Sequence, residues 1–150
     1  MLDIRTTLRT PPFVKGAGRI PYEKIARAIL VRKYELSLVI CSDGLAHGMN
    51  KRYRKKNYKP NVLSFPISKR EGEIFLNVRK AAREALPAGR QSATLSAKQK
   101  RAAWRNRMAL LFVHGCFHLK GLRHGRTMEG QEQRVLRAFH FSCDNQYTQG

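Results

Sequence analysis

Three histidines, His114, His118 and His124, lie in one short stretch of the chain at a spacing that could bind a metal ion. On a helix, His114 and His118 are one turn plus about 40° apart, so both imidazoles can reach one point on the same face. Gly121 can adopt the left-handed conformation that ends a helix and reverses the chain, which can bring His124 back over that point. The stretch therefore predicts one metal site in preference to three unrelated histidines.

Three convergent imidazoles favour zinc, one ion per chain, with bonds of about 2.0–2.1 Å. A site with three protein ligands leaves a fourth position for water, and the ion lowers the pKa of that water towards neutrality. We therefore expect a catalytic metal in a hydrolase.

The spacing equals that of the extended metalloprotease signature, His-Glu-x-x-His-x-x-Gly-x-x-His. In that signature the glutamate after the first histidine acts as the general base. This chain has Gly115 there, and glycine has no side chain that could move a proton. Peptide hydrolysis by that mechanism is disfavoured, although a metal hydrolase with another substrate, such as a protein, stays as an alternative.

The charge of the chain indicates a polyanionic partner. Lys and Arg number 30 against 10 Asp and Glu, which gives a formal net charge of +20 in 150 residues. Nucleic acid is the commonest partner of so basic a protein, and an anionic membrane is the other candidate. Residues 1–10 do not have the pattern of a secretion signal, and no apolar run approaches membrane-spanning length. Three sparse cysteines, Cys41, Cys116 and Cys143, are typical of reduced intracellular thiols. We expect a cytoplasmic protein with no membrane partner.

The elements that must position the histidines are short strands mixed with helices. Strands are predicted at 4–8, 36–41, 62–65 (stopped by Pro66) and 73–76. Helices are predicted at 21–33, from Ser42 through at least Tyr53, and at 78–86, 102–119 and 128–141. Residues 87–100 are polar and are expected to form a flexible surface insertion, and the tail 144–150 is expected to be loose. This pattern predicts an α/β or α+β fold with a small sheet covered by helices.

Several segments together resemble the YbeY family of single-strand-specific endoribonucleases, metal-dependent enzymes of ribosomal RNA maturation. They span about residues 36–136, apart from the predicted insertion. The segments are Leu-Ser-Leu-Val-Ile at 36–40, Asn-Lys-Arg-Tyr-Arg at 50–54, Asn-Val-Leu-Ser-Phe-Pro at 61–66, Gly-Glu-Ile at 72–74, and the histidine motif with Met128 and Glu132 beyond it.

The resemblance implies an α+β fold in which a four-stranded mixed sheet packs with about five helices, as a single domain over residues 1–150. It also implies zinc on the three histidines and an arginine, Arg54, in the substrate groove. The implied activity is cleavage of single-stranded RNA in small-subunit ribosomal RNA 3′-end processing and in ribosome quality control. The implied partners are the ribosomal RNA precursor or the ribosome.

A chemical argument also supports a role for Arg54 in binding the substrate. A fixed guanidinium can bind a phosphate through two hydrogen bonds and offset the charge that develops on it. Without the family, a solvated residue in a basic run would be the simpler interpretation. Ser64 is expected near the site or packed in its strand. Glu132 is a possible general base, but we expect it to be exposed or to cap the last helix. His47 and His140 are expected to be structural or surface residues.

Three positions depart from the family pattern. Arg123 stands where an acidic residue usually precedes the third histidine, Glu73 replaces an aspartate, and Lys59-Pro60 replaces Pro-Thr. Arg123 could weaken metal binding unless its side chain points to solvent or to RNA phosphate. The sequence thus favours a zinc-dependent endoribonuclease, and the alternative is a non-catalytic RNA-binding ribosome-assembly protein with a structural metal.

Overall fold

A computed structural model of the protein describes residues 1–16, 18–86 and 93–142. Within these ranges lie a four-stranded sheet and five helices with defined bounds. The strands are β1 (Leu2–Thr6), β2 (Glu35–Cys41), β3 (Val62–Ser68) and β4 (Glu71–Asn77). The helices are α1 (Tyr22–Ile29), α2 (Asp43–Arg54), α3 (Val78–Ala85), α4 (Ala97–Leu119) and α5 (Arg126–Ala138). The predicted α+β fold is confirmed, and none of the described helices is long and apolar enough to cross a membrane.

The sheet has the strand order β1-β2-β4-β3, with β3 at one edge. β1, β2 and β4 run parallel, and β3 runs antiparallel to β4, so the sheet is mixed. The prediction that Pro66 ends its strand is wrong, because β3 continues to Ser68 with a register shift between these two residues. An edge strand tolerates proline because the missing N–H can face outwards, where no neighbouring strand needs it.

The two faces of the sheet are buried differently. The main core lies between one face and helices α1 and α4, and its fully buried members include Leu38, Ile40, Ile74, Leu111 and Phe112. A smaller cluster on the other face lies under α2 and consists of Val39, Cys41, Ala46, Leu63 and Phe75, with Met49 and Phe65 partly buried beside it. The residues of β2, β3 and β4 therefore alternate between two cores, which explains their nearly continuous apolar sequences.

The central helix, α4, begins at Ala97 and not near the predicted start at Ala102. Ser96 Oγ accepts a hydrogen bond from the Gln99 N–H at 3.1 Å, and Gln99 Oε1 accepts one from the Ser96 N–H at 2.8 Å. This capping box places the end of the predicted insertion inside the helix. Residues 87–92 of that insertion lie outside the described residues, as does the tail 144–150.

Other element ends also differ from the predictions. β1 is Leu2–Thr6 instead of 4–8, because Leu2 and Ile4 pack against the main core. α1 ends at Ile29, since Leu30 is already extended. α5 covers Arg126–Ala138 instead of 128–141. These shifts leave the elements around the histidines in their predicted order.

Candidate metal centre

The three histidines meet where α4 ends. His114 and His118 project from the last turns of α4, and Gly121, with φ +100°, reverses the chain after it. The N–H of Leu122 donates to the Phe117 carbonyl at 3.0 Å and closes this reversal. One nitrogen from each of His114, His118 and His124 lies within 4.8 Å of the others. The predicted convergence of the three imidazoles is present in the structure.

Hydrogen bonds orient two of the imidazole rings. His114 Nδ1 lies 2.7 Å from Glu132 Oε1, and His118 Nδ1 lies 3.2 Å from the Leu122 carbonyl oxygen. A carboxylate and a carbonyl accept hydrogen bonds, so each Nδ1 carries a proton and donates it. The two Nε2 atoms face each other at 2.9 Å. Together with a nitrogen of His124 they form a set of three imidazole donors, so these residues fit a metal ion.

The environment of His118 favours the form that binds metals. Burial first, and then the neighbouring His114, His124 and Arg54, together lower the pKa of His118 to about 4, against the opposing hydrogen bond to the Leu122 carbonyl. His118 is therefore a neutral imidazole at pH 7. Metal binding requires the neutral ring, so no proton has to be removed from His118 first.

Glu132 is buried, with 1% of its surface exposed, so the expectation of an exposed or capping residue is wrong. Met128, Glu132 and Leu136 form the buried face of α5, which packs against α4. The sequence did carry a signal, because these three residues recur every four positions, and the middle one is a carboxylate on an apolar face. Such a carboxylate needs a buried partner, and here the partner is His114.

At Gly115, helix α4 packs directly against the sheet. A Cβ atom at this position would lie 3.0 Å from Ser64 Oγ, 3.2 Å from Ile74 Cδ1 and 3.3 Å from Val62 Cγ2. Ser64 Oγ also donates a hydrogen bond to the Gly115 carbonyl oxygen at 3.0 Å. Gly115, which stands where metalloproteases have their general base, therefore packs closely against β3 and β4. This close packing is a second reason for a glycine at this position.

A groove of about 360 Å³ opens beside the histidines. Its lining consists of Arg54, Val62, Leu63, Ser64, His114, His118 and His124. Arg54 is exposed and lies at the last position of α2, where Lys55 ends the helix with φ +57°. The structure thus brings together the four predicted site residues, together with Ser64. His47 is separate from them and hydrogen-bonds Asn57 through Nε2 at 2.8 Å.

Buried asparagines hold the segment between α2 and β3, which follows Arg54. Asn50 Nδ2 donates to the Tyr58 carbonyl at 3.0 Å, and Asn77 Nδ2 donates to the Pro60 carbonyl at 3.1 Å. Both side chains are fully buried. The sequence analysis did not identify these residues, which anchor the end of α2 to the sheet.

The buried cysteines are separate from the metal site. Cys41 and Cys116 are free thiols, as predicted. Both are buried, and burial raises the pKa of both thiols, which stay protonated at neutral pH. Neither belongs to the histidine cluster. Cys143 lies outside the described residues.

The sequence of this chain matches a known protein family. The family model described as Endoribonuclease YbeY matches residues 19–140. The chain belongs to the YbeY family. Proteins named endoribonuclease YbeY are similar to it over most of its length, and the solved structures add a likeness of fold.

Three YbeY relatives illustrate the sequence similarity. The protein of Gluconobacter oxydans is 35% identical over 112 residues, and the match covers 70% of this chain and 60% of the relative. The protein of Alkaliphilus metalliredigens is 31% identical over 112 residues, and the match covers 67% of this chain and 64% of the relative. The protein of Helicobacter pylori is 32% identical over 124 residues, and the match covers 78% of this chain and 79% of the relative. The chain thus spans 60–64% of the length of the first two relatives and 79% of the length of the third.

The solution structure of a Thermotoga maritima protein has a similar fold. Its TM-score is 0.60 at 15% sequence identity, and the match covers 93% of this chain and 89% of that protein. The four-stranded mixed sheet with its helices is therefore a known arrangement.

None of the positions that depart from the YbeY pattern lines the groove. Arg123 is exposed and does not line the groove. Glu73 is half-buried in β4 and pairs with Ser37 of β2 and Phe65 of β3. Pro60 is buried and accepts the hydrogen bond from Asn77. None of the three contributes an atom to the histidine cluster.

Proposed function

We propose that the chain is a zinc-dependent endoribonuclease, formed as one domain over residues 1–150, that cleaves single-stranded RNA. The observation that carries this proposal is the convergence of three imidazoles beside an exposed arginine, Arg54, in one groove. Membership of the YbeY family supports the ribonuclease activity, because the relatives bear the name endoribonuclease. The donor set of three nitrogens supports zinc.

The residues of the groove have separate roles in this proposal. Zinc held by the three histidines would supply an activated water for hydrolysis. Arg54 binds the phosphate oxygens and offsets the charge that develops on them during cleavage. Glu132 orients His114 from behind and does not line the groove, so we assign it a positioning role and not that of a general base.

The charge of the chain supports RNA as the substrate. A net charge of +20 concentrates a polyanion at the surface, and much of the binding energy would come from phosphate contacts. From the family resemblance we assign the target in the cell, which is the 3′ end of precursor small-subunit ribosomal RNA. The same resemblance assigns a role in ribosome quality control, and we place the protein in the cytoplasm. The ribosome or a partner protein would position the cut.

Metal analysis and a ribonuclease assay on one sample test this proposal. Protein purified without an affinity tag should contain about one zinc per chain, and should cleave a single-stranded RNA faster than a duplex of the same sequence. The His118→Ala variant should do neither. Zinc retention with RNA binding but without cleavage would support the non-catalytic assembly protein, and equal cleavage of duplex and single strand would reject the strand preference.

Cells that lack the protein should accumulate small-subunit ribosomal RNA with unprocessed 3′ ends, and normal ends would reject the ribosomal target.

A further inference from the structure

An exposed aromatic pair lies beside the groove. The ring centroids of Tyr53, on α2, and Phe65, on β3, are 5.8 Å apart with an interplanar angle of 66°. Tyr53 is 56% exposed, whereas Phe65 is partly buried and packs against buried Phe75 at 5.8 Å. Phe65 therefore connects the exposed tyrosine ring to the sheet and limits its motion.

Each residue of this pair is adjacent in sequence to a residue that lines the groove. Tyr53 directly precedes Arg54, and Phe65 directly follows Ser64, and both of these neighbours line the groove. Successive residues of a strand point to opposite faces. Ser64 accordingly contacts Gly115 of α4, and Phe65 contacts Tyr53 of α2. Because β3 is an edge strand, a ligand that leaves the groove can pass round this edge onto the aromatic pair.

The surroundings of the pair are strongly basic. Exposed cationic residues at the end of α2 and just beyond it are Lys51, Arg52, Arg54, Lys55 and Lys56. The guanidinium carbon of Arg52 lies 5.3 Å from the centroid of the Tyr53 ring. An apolar protein partner would have to desolvate these charges, whereas the phosphates of a nucleic acid neutralise them. The charge therefore favours a nucleic acid over a protein as the ligand of this surface.

We propose that Tyr53, supported by Phe65, stacks a nucleobase of single-stranded RNA next to the phosphate bound at Arg54. This subsite rests on the proposed ribonuclease function and extends it to base recognition. Every base presents a π face, so stacking holds the strand without selecting a sequence. A duplex keeps its bases stacked on each other and cannot offer one to Tyr53. The subsite thus gives the preference for single strands a physical cause.

Binding measurements with matched variants test the subsite. The ligand is a fluorescently labelled single-stranded oligodeoxynucleotide, since stacking does not depend on the 2′-hydroxyl, and its anisotropy reports binding. Tyr53→Leu should weaken binding by roughly five- to a hundredfold, while Tyr53→Trp, which keeps an aromatic face, should bind like the wild type. Tyr58→Leu is the control, because Tyr58 is 44% exposed but its ring lies near Lys80 and not near Phe65. It should leave the affinity unchanged.

An oligodeoxynucleotide of the same length made only of abasic sites removes every base that could stack, whichever register the strand adopts. On this ligand the wild type and Tyr53→Leu should bind equally. The proposal is overturned if Tyr53→Leu binds the ordinary strand as tightly as the wild type, if Tyr58→Leu loses as much, or if the difference persists on the abasic strand. A cooperative thermal transition of Tyr53→Leu at the wild-type temperature shows that the loss is local. Because binding is measured without cleavage, a lack of nuclease activity would contradict the proposed function alone.

Discussion

Glu132 Oε1 lies 2.7 Å from His114 Nδ1, and each of the two side chains is 2% exposed. This carboxylate–histidine pair fixes the proton on Nδ1 and aims Nε2 at the other two histidines. The relationship joins α5 to the last turns of α4, so the packing of these two helices also sets the geometry of the metal site.

We predict that Glu132→Gln weakens zinc binding by about ten- to a hundredfold. The amide still accepts a hydrogen bond from His114 but no longer carries the negative charge that makes the ring a stronger donor to a metal. Competition with a chelator of known affinity measures the change. Glu129→Gln, an exposed position on the same helix, is the control, and equal affinities in both variants would remove the positioning role.

Loss of one imidazole should empty the site. We expect His114→Ala and His118→Ala to lose the roughly one zinc per chain proposed for the wild type, because two remaining ligands form an incomplete site. Elemental analysis of protein purified without an affinity tag measures this. His47→Ala, which removes a histidine that hydrogen-bonds Asn57, should keep its zinc. Full zinc retention in both site variants would show that the zinc binds elsewhere.

Arg54→Ala should keep the metal and lose most RNA cleavage. The side chain is proposed to act on phosphate, and one such contact in the transition state is worth about 2–4 kcal/mol, or roughly a hundredfold in kcat. Single-turnover cleavage and zinc content should be measured together. Lys24→Ala, at an exposed position of α1 outside the groove, controls for the loss of one positive charge. Unchanged kinetics in a folded Arg54→Ala protein would make Arg54 a bystander.

Two helical glycines should respond differently to a methyl group. Gly48→Ala, which has open space around it, should raise the free energy of unfolding by about 1 kcal/mol through helix propensity. Gly115→Ala gains the same propensity, but its Cβ would lie 3.0–3.3 Å from atoms of Ser64, Ile74 and Val62. Overpacking costs about 1–3 kcal/mol, so Gly115→Ala should be at least about 1 kcal/mol less stable than Gly48→Ala. Urea denaturation measures both, and equal stabilities would show that α4 can move away from the sheet freely.

RNA binding should weaken steeply as salt increases. The 30 basic residues provide a broad surface for phosphate, so bound counterions are released on binding. For a single strand, the slope of the logarithm of the association constant against log salt should approach about −0.7 for each phosphate neutralised. Titrations at several salt concentrations with two unrelated sequences test this. An affinity that did not change with salt would mean that the charge serves another ligand.

The histidine site could be predicted because its geometry is local. The helical period places His114 and His118 on one face, and the reversal at Gly121 returns His124 to them within a few residues. The strands and helices around the site were also predictable in type and order. Their ends were less so, because Pro66 is tolerated inside β3 only through the position of this strand at the sheet edge.

The amino-acid sequence by itself therefore determined the histidine cluster, the charge and the family pattern, all of which depend on nearby residues or on composition. Only the tertiary structure decided that Glu132 is buried behind His114 and that Tyr53 meets Phe65. Each of these pairs joins two elements that follow one another along the chain but are separated by a loop. Their contact depends on how α5 packs on α4 and how α2 lies over β3, and helical or strand periodicity shows which face a residue occupies but not which element covers it.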